Sequence, residues 1–177
     1  MAPDLVPRLV VVNGMSKAFS MTGWRMGYVA GPKWLIAGMQ MIQDQSTSNA
    51  PSFSQKAALA ALKGPRDIFV PMVEEYRGRR DLVVDALNSM PGVSCRRPEG
   101  AFYVLPNVKR LLGRTYKGTP VTGSVQMSEI LLNDFRVAAM PGAPFGVEGY
   151  IRMSFATSRD QLRKGLERFR EFVGSLR

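Results

Sequence analysis

Leu9-Val10-Val11-Val12-Asn13-Gly14-Met15-Ser16-Lys17-Ala18-Phe19-Ser20-Met21-Thr22-Gly23-Trp24-Arg25-Met26-Gly27-Tyr28 is the stretch on which the reading of this chain turns. Its first four residues are apolar and mostly β-branched. They predict a strand buried on both faces, of the kind found in parallel sheets. A loop follows through Lys17, and Trp24 to Ala30 predicts a second strand, closed by Gly31-Pro32. Lys17 then lies just past the carboxyl end of a buried strand, where open α/β sheets bind their ligands. Gly14, Ser16, Gly23 and Gly27 would let a bulky group approach the backbone. The guanidinium of Arg25 suits a phosphate dianion, which it can meet with paired hydrogen bonds. An arbitrary Lys–Arg pair is more often solvated, and the glycines alone do not decide between the two readings.

Working outward, Leu35, Ile36, Met39 and Ile42 give a helical stripe, with Pro32 suited to the first turn. Asn49-Ala50-Pro51 breaks it. Ser52 or Ser54 could cap a further helix through Ala57–Leu62, stopped by Gly64-Pro65. Met72, Val73, Tyr76, Val83, Leu87 and Met90 recur at helical spacing, with Pro71 at the first turn or a kink and Pro91-Gly92 at the end. This long helix would connect two domains. Beyond it, 93–97 and 101–105 flank Pro98-Glu99-Gly100 and predict a hairpin. The stretch from Val108 to Val121 reads as irregular. A helix over 124–134, a strand over 136–140 and a strand over 150–155 follow. Ser158 and Gln161 form a capping box for a last amphipathic helix through Leu162, Leu166, Phe169 and Val173. These segments make an α+β layer of antiparallel strands with helices on one face.

Composition narrows the chemistry. The 177 residues contain no histidine and one cysteine, Cys95. Serine–histidine triads, histidine-ligated metal sites and internal disulfides are therefore excluded, and acid–base work falls to Lys, Tyr, Asp, Glu or a cofactor. A lone cysteine suits a reducing compartment, and the expected location is cytoplasmic. No apolar run approaches the ~18 residues that span a bilayer, so no membrane partner is expected. Met1-Ala2-Pro3-Asp4 lacks a basic start followed by an apolar core, as a secretory leader would have. The net charge of +10 raises nucleic-acid binding. The basic residues are scattered and not interleaved with stacking aromatics, so none is expected. Met15, Met21, Met26, Met39 and Met41 read as core fillers, and Trp24 and Tyr28 as core or interface packing.

Several motifs, in order, resemble class I pyridoxal-phosphate aminotransferases of fold type I, in the form found in prokaryotic aspartate aminotransferases. They are Asn13-Gly14-Met15-Ser16-Lys17, Met21-Thr22-Gly23-Trp24-Arg25, Gln45-Ser46-Thr47-Ser48-Asn49, Glu99-Gly100-Ala101-Phe102-Tyr103, Pro141-Gly142 leading to Phe145-Gly146, and 150–158 around Arg152. The resemblance implies that Lys17 holds pyridoxal 5′-phosphate as an imine and then shuttles the substrate proton. It implies that Arg25 binds the cofactor phosphate, that Ser16 touches it, and that Arg152 clamps the substrate α-carboxylate. Many relatives place a phosphate-binding serine where Gly14 stands. Ser48 and Asn49 resemble a loop that approaches the partner subunit's phosphate, although a turn explains them equally. No metal is implied.

The implied fold class is α/β. Residues 1–66 would be the C-terminal part of a large cofactor-binding domain with an incomplete, mainly parallel sheet. Residues 67–91 would be a connecting helix, and 92–177 a small α+β domain. The family's aspartate for the pyridine nitrogen, and its further phosphate and ring contacts, lie upstream of the lysine. Only sixteen residues precede Lys17, and Asp4 is their sole acid. The expectation is therefore a fragment of a longer, homodimeric enzyme that moves an amino group from an α-amino acid to a 2-oxo acid, with aspartate and 2-oxoglutarate as the expected pair. The chain alone would be inactive. The alternative is a non-catalytic module that pairs with an aminotransferase subunit.

Overall fold

The computed structural model describes residues 3–177, with the backbone alone for Pro3. The reading of a missing leader therefore falls partly outside the described residues. The chain divides into two compact units, Met1–Arg66 and Asp67–Arg177.

In the N-terminal unit, β1 (Val11–Gly14) pairs antiparallel with β2 (Gly27–Ala30), in the register Val11↔Ala30 to Gly14↔Gly27. The glycines face each other at the closed end, where a side chain on Gly27 would press on the Asn13 carbonyl at 3.1 Å. The strand expected to be buried on both faces is exposed instead, with Val12 73 % accessible. Two strands alone have no layer to lie against, and among the described residues no parallel neighbour joins them. The second strand is also shorter than expected. Thr22–Trp24 form a 3-10 turn and Arg25 turns left-handed at φ 49°, so extension resumes only at Gly27. Two helices follow, α1 (Lys33–Ser46) and α2 (Ser52–Lys63). Neither Ser52 nor Ser54 caps α2; Pro51 takes that position and Ser54 is buried. Met15, Met21 and Ala58 form the buried cluster of this unit. Met39, Met41, Trp24 and Tyr28, expected as packing residues, are exposed.

The C-terminal unit is built on α3 (Val70–Asn88), whose first turn accommodates Pro71 because the amide missing from proline has no helical acceptor there. The chain then enters a mixed layer. The three-stranded sheet has the order β3–β7–β6, from β3 (Tyr103–Val104), β7 (Ile151–Ser154) and β6 (Met140–Pro141), all antiparallel. The expected hairpin between 93–97 and 101–105 does not form. Ser94 bridges Asn107 instead, and Tyr103–Val104 pairs with β7. Asn88 holds the segment from the side, its amide bonding both the nitrogen and the carbonyl of Cys95. The expected strand over 136–140 is reduced to Met140–Pro141, because Arg136 is the left-handed cap of α4 (Ser124–Phe135). The stretch read as irregular contains a tight hairpin, β4 (Thr115–Tyr116) and β5 (Thr119–Pro120). Its turn residues Lys117 and Gly118 both have positive φ, as the twist of a two-residue hairpin demands.

The last helix, α5 (Arg159–Ser175), starts where the Ser158 side chain accepts from the Gln161 amide. Leu162, Leu166, Phe169, Phe172 and Val173 recur at helical spacing and are buried. They join Val83, Val84 and Leu87 of α3, Met127 and Leu131 of α4, and Ile151 and Met153 of β7 in one core. Phe172 meets the rings of Phe169, Tyr116 and Phe135 there. On the rim, Glu75 accepts from Arg79 and from two nitrogens of Arg159, tying α3 to the start of α5.

Candidate functional site

Ser16, Lys17 and Arg25 lie on one turn between β1 and β2. Met15 is fully buried, and its amide donates to the Met26 carbonyl at 3.0 Å, closing the loop that the strands open. Residues 16–19 turn above this anchor, so Lys17 is exposed while the backbone beneath it is fixed. Ser20 and Arg25 both have positive φ without being glycine, and strain of that kind concentrates at functional turns. Arg25 Nη1 donates to the Thr22 carbonyl at 3.0 Å, which orients the guanidinium on its own turn. Ser48, in the other Ser/Asn-rich loop, is left-handed as well, held between its own amide on the Gln43 carbonyl and the Gln43 amide on its carbonyl.

Arg152 belongs to the C-terminal unit. Side chains alternate along β7: Ile151 and Met153 enter the core, and Arg152 takes the opposite face. The register pairs Tyr103 with Ser154 and Met140 with Arg152, which sets Tyr103 diagonally beside Arg152. The guanidinium carbon lies 4.6 Å from the Tyr103 ring centre and 4.8 Å from that of Phe145. Two rings thus hold the planar cation. Among the described residues no carboxylate pairs with it, although six other arginines of this chain have one. A stacked, unneutralised guanidinium keeps its donor fork for an external carboxylate.

Sequence reasoning marked Pro141-Gly142 leading to Phe145-Gly146 as a motif but gave Phe145 no role and passed over Glu148. Gly142 donates to the Tyr150 carbonyl, and its own carbonyl accepts from Phe145 and Val147, so residues 142–150 close on themselves. Glu148 fastens this loop to α4. It accepts from the amides of Ser124 (2.7 Å) and Gly149 (2.9 Å) and from the Ser124 hydroxyl (3.0 Å). Those bonds, the Ser124 and Gly149 amides first, hold its carboxyl below the usual range. The Ser124 hydroxyl in turn accepts from the Ala143 amide. The signal in the sequence was a glutamate beside Gly149 in a Gly/Pro-rich stretch, legible only once the partner serine is known.

No group of histidine, cysteine or carboxylate side chains could hold a metal among the described residues. No helix among them is long and apolar enough to cross a membrane.

Comparison with known proteins identifies the family. The profile of the aminotransferase class I and II family matches residues 2–169, and the chain belongs to that family. Class I aminotransferases depend on pyridoxal phosphate. A probable aspartate/prephenate aminotransferase of Rickettsia conorii is 46% identical over 173 residues, covering 97% of this chain and 43% of that protein. The crystal structure of the Rhizobium meliloti aspartate aminotransferase superposes with a TM-score of 0.96 at 42% identity, covering 99% of this chain and 44% of that one. A Thermus thermophilus aspartate aminotransferase crystallised with maleate gives a TM-score of 0.82 at 40% identity, covering 94% and 41%. The chain thus spans less than half the length of these relatives.

The turn fits the cofactor at two of its ends. An amine at Lys17 suits an aldehyde, and Arg25 suits a phosphate dianion. Gly23 leaves open space, with no atom within 4 Å of where its side chain would begin. The ring nitrogen is not provided for: the acids of the N-terminal unit are Asp4 and Asp44, one in a 3-10 turn and one in α1, neither on the lysine turn.

Proposed function

We propose that this chain supplies the lysine and both arginines of an aminotransferase active site within a longer protein. That protein would move an amino group from an α-amino acid to a 2-oxo acid, with aspartate and 2-oxoglutarate as the expected pair. The observation that carries the reading is the guanidinium of Arg152, stacked on two rings and without a carboxylate partner among the described residues. Names of the relatives support the aspartate assignment.

Bound pyridoxal phosphate would supply an electron sink for the charge left when a bond to the substrate Cα breaks. Lys17 Nζ would hold the cofactor through its aldehyde and, once released from it, would be the group that takes up and hands on the substrate Cα proton. Arg25 would hold the phosphate, with Ser16 beside it. Arg152 would take the α-carboxylate in a paired fork and so fix which bond on Cα faces the lysine. The parent enzyme would be a cytoplasmic homodimer. The connecting role of α3 between a cofactor domain and a small domain belongs to the same proposal.

The test is covalent labelling. Pyridoxal phosphate is added to the 177-residue chain, the adduct is reduced with borohydride, and the peptides are mapped. Preferential labelling of Lys17 over the other lysines is expected. Label spread evenly over surface lysines, or none, refutes a preorganised site and favours a module without cofactor chemistry. A transamination assay on the chain alone should show little turnover.

A further inference from the structure

We propose that Glu148 is a positioning residue for the carboxylate clamp, acting through Ser124 and Phe145 on Arg152. The proposal rests on the reading of Arg152 as that clamp, and it names a residue that never touches substrate. The physical chain is short. Glu148 locks the 142–150 loop to the first turn of α4 through the amide and hydroxyl of Ser124, and accepts the Gly149 amide of its own loop as well. Ser124, so fixed, accepts from Ala143, the first residue of the 3-10 turn Ala143–Phe145. That turn ends in Phe145, whose ring covers one side of the Arg152 guanidinium. Phe145 itself is about half exposed, so core packing does not set its place; the loop does. A carboxylate is required at position 148 because two backbone amides and a hydroxyl converge on it, and a neutral side chain cannot accept from all three. The same site holds the negative charge at the N-terminus of α4, which favours it.

The geometry gives Arg152 a spectroscopic signature. Its guanidinium carbon lies over two rings, so ring currents should displace the neighbouring Nε–H signal. The experiment uses the full chain with 15N-arginine, the signal being assigned by its loss in R152K, and follows it during titration with sodium propionate. The wild type should show a displaced signal that moves saturably. In E148A the signal should relax toward that of a solvated arginine, and propionate affinity should fall at least ~5-fold. E148Q, which keeps an acceptor oxygen, should lie between. In an F145A background the E148A change should have little further effect, because the transmitting ring is gone. Equal Arg152 signals and affinities in E148A and wild type overturn the proposal, as do fully additive losses with F145A. If E148A does not fold, E148Q and S124A make the same comparison. A signal that responds to E148A but never to propionate keeps the positioning chain and refutes the clamp reading instead.

Discussion

Alanine at Gly142 should be among the most damaging single-methyl additions this chain can suffer. Gly142 has φ −77° and ψ −26°, which any residue adopts, so backbone strain contributes nothing. The cost is packing. A β-carbon there would run into the Val147 carbonyl oxygen and stand 2.5 Å from that of Tyr150, both backbone atoms of the same closed loop. One side of the loop would have to retreat, stretching the Gly142–Tyr150 bond (2.8 Å) and the Val147–Gly142 bond (3.1 Å). Overpacking costs about 1–3 kcal/mol and each lost hydrogen bond about 1 kcal/mol, which together give ~3–5 kcal/mol. With a urea slope near ~2 kcal/mol/M, the midpoint followed by far-UV circular dichroism should fall by about 2 M. Two other glycines separate the causes. Gly146 has φ 75° and open space, so G146A should cost only the ~1–2 kcal/mol of a left-handed alanine. Gly165, inside α5 with nothing near, should gain ~0.5–1 kcal/mol as alanine. If G142A costs no more than G146A, the close approach of the two carbonyls does not constrain this loop and the reasoning fails.

Ser128 has a buried hydroxyl without a hydrogen-bond partner among the described residues. S128A should therefore be neutral or stabilising by about 1 kcal/mol, and a clear loss of stability would reveal a partner. Acid should act on the α3–α5 clasp. Bonds from Arg159, then Arg79, hold the Glu75 carboxyl at about 2, below its ordinary 4.5. A depressed value means that the contribution is complete above about 4.5 and is lost as the pH falls toward about 2. The stability gap between wild type and E75Q should narrow over that window and shrink in salt, because the group is exposed; a gap independent of pH removes the clasp.

The helices were legible because their apolar residues recur at a spacing that tertiary context did not overturn. Pro71 and the Ser158 cap fell where local chemistry puts them. The strands were legible only in part. The run 9–12 reads as doubly buried because four apolar residues in a row encode burial, and the covering layers are not among the strands this chain pairs. The pairing of Tyr103 with β7 rather than with 93–97 depends on a partner fifty residues away, which a local turn signal cannot reveal. Lys17 and Arg25 were singled out by motif, but the left-handed conformation of Arg25 was not legible, since arginine carries no preference for it. The contacts of Glu148 with Ser124 and of Phe145 with Arg152 were hidden because they join residues distant in sequence.

The small buried cluster of Met15, Met21 and Ala58 has a consequence for how the molecule comes apart. Both tryptophans, Trp24 and Trp34, sit in the N-terminal unit with that slight core, while the long apolar cluster lies wholly in the other. Indole emission will therefore report an early, shallow loosening, and the helical signal, carried mostly by α3, α4 and α5, chiefly a later, steeper one, so the two melting curves should not coincide. The turn that bears Lys17 is then the first part to lose its shape on warming, and whatever seats itself on that turn will raise the earlier transition and leave the later one in place.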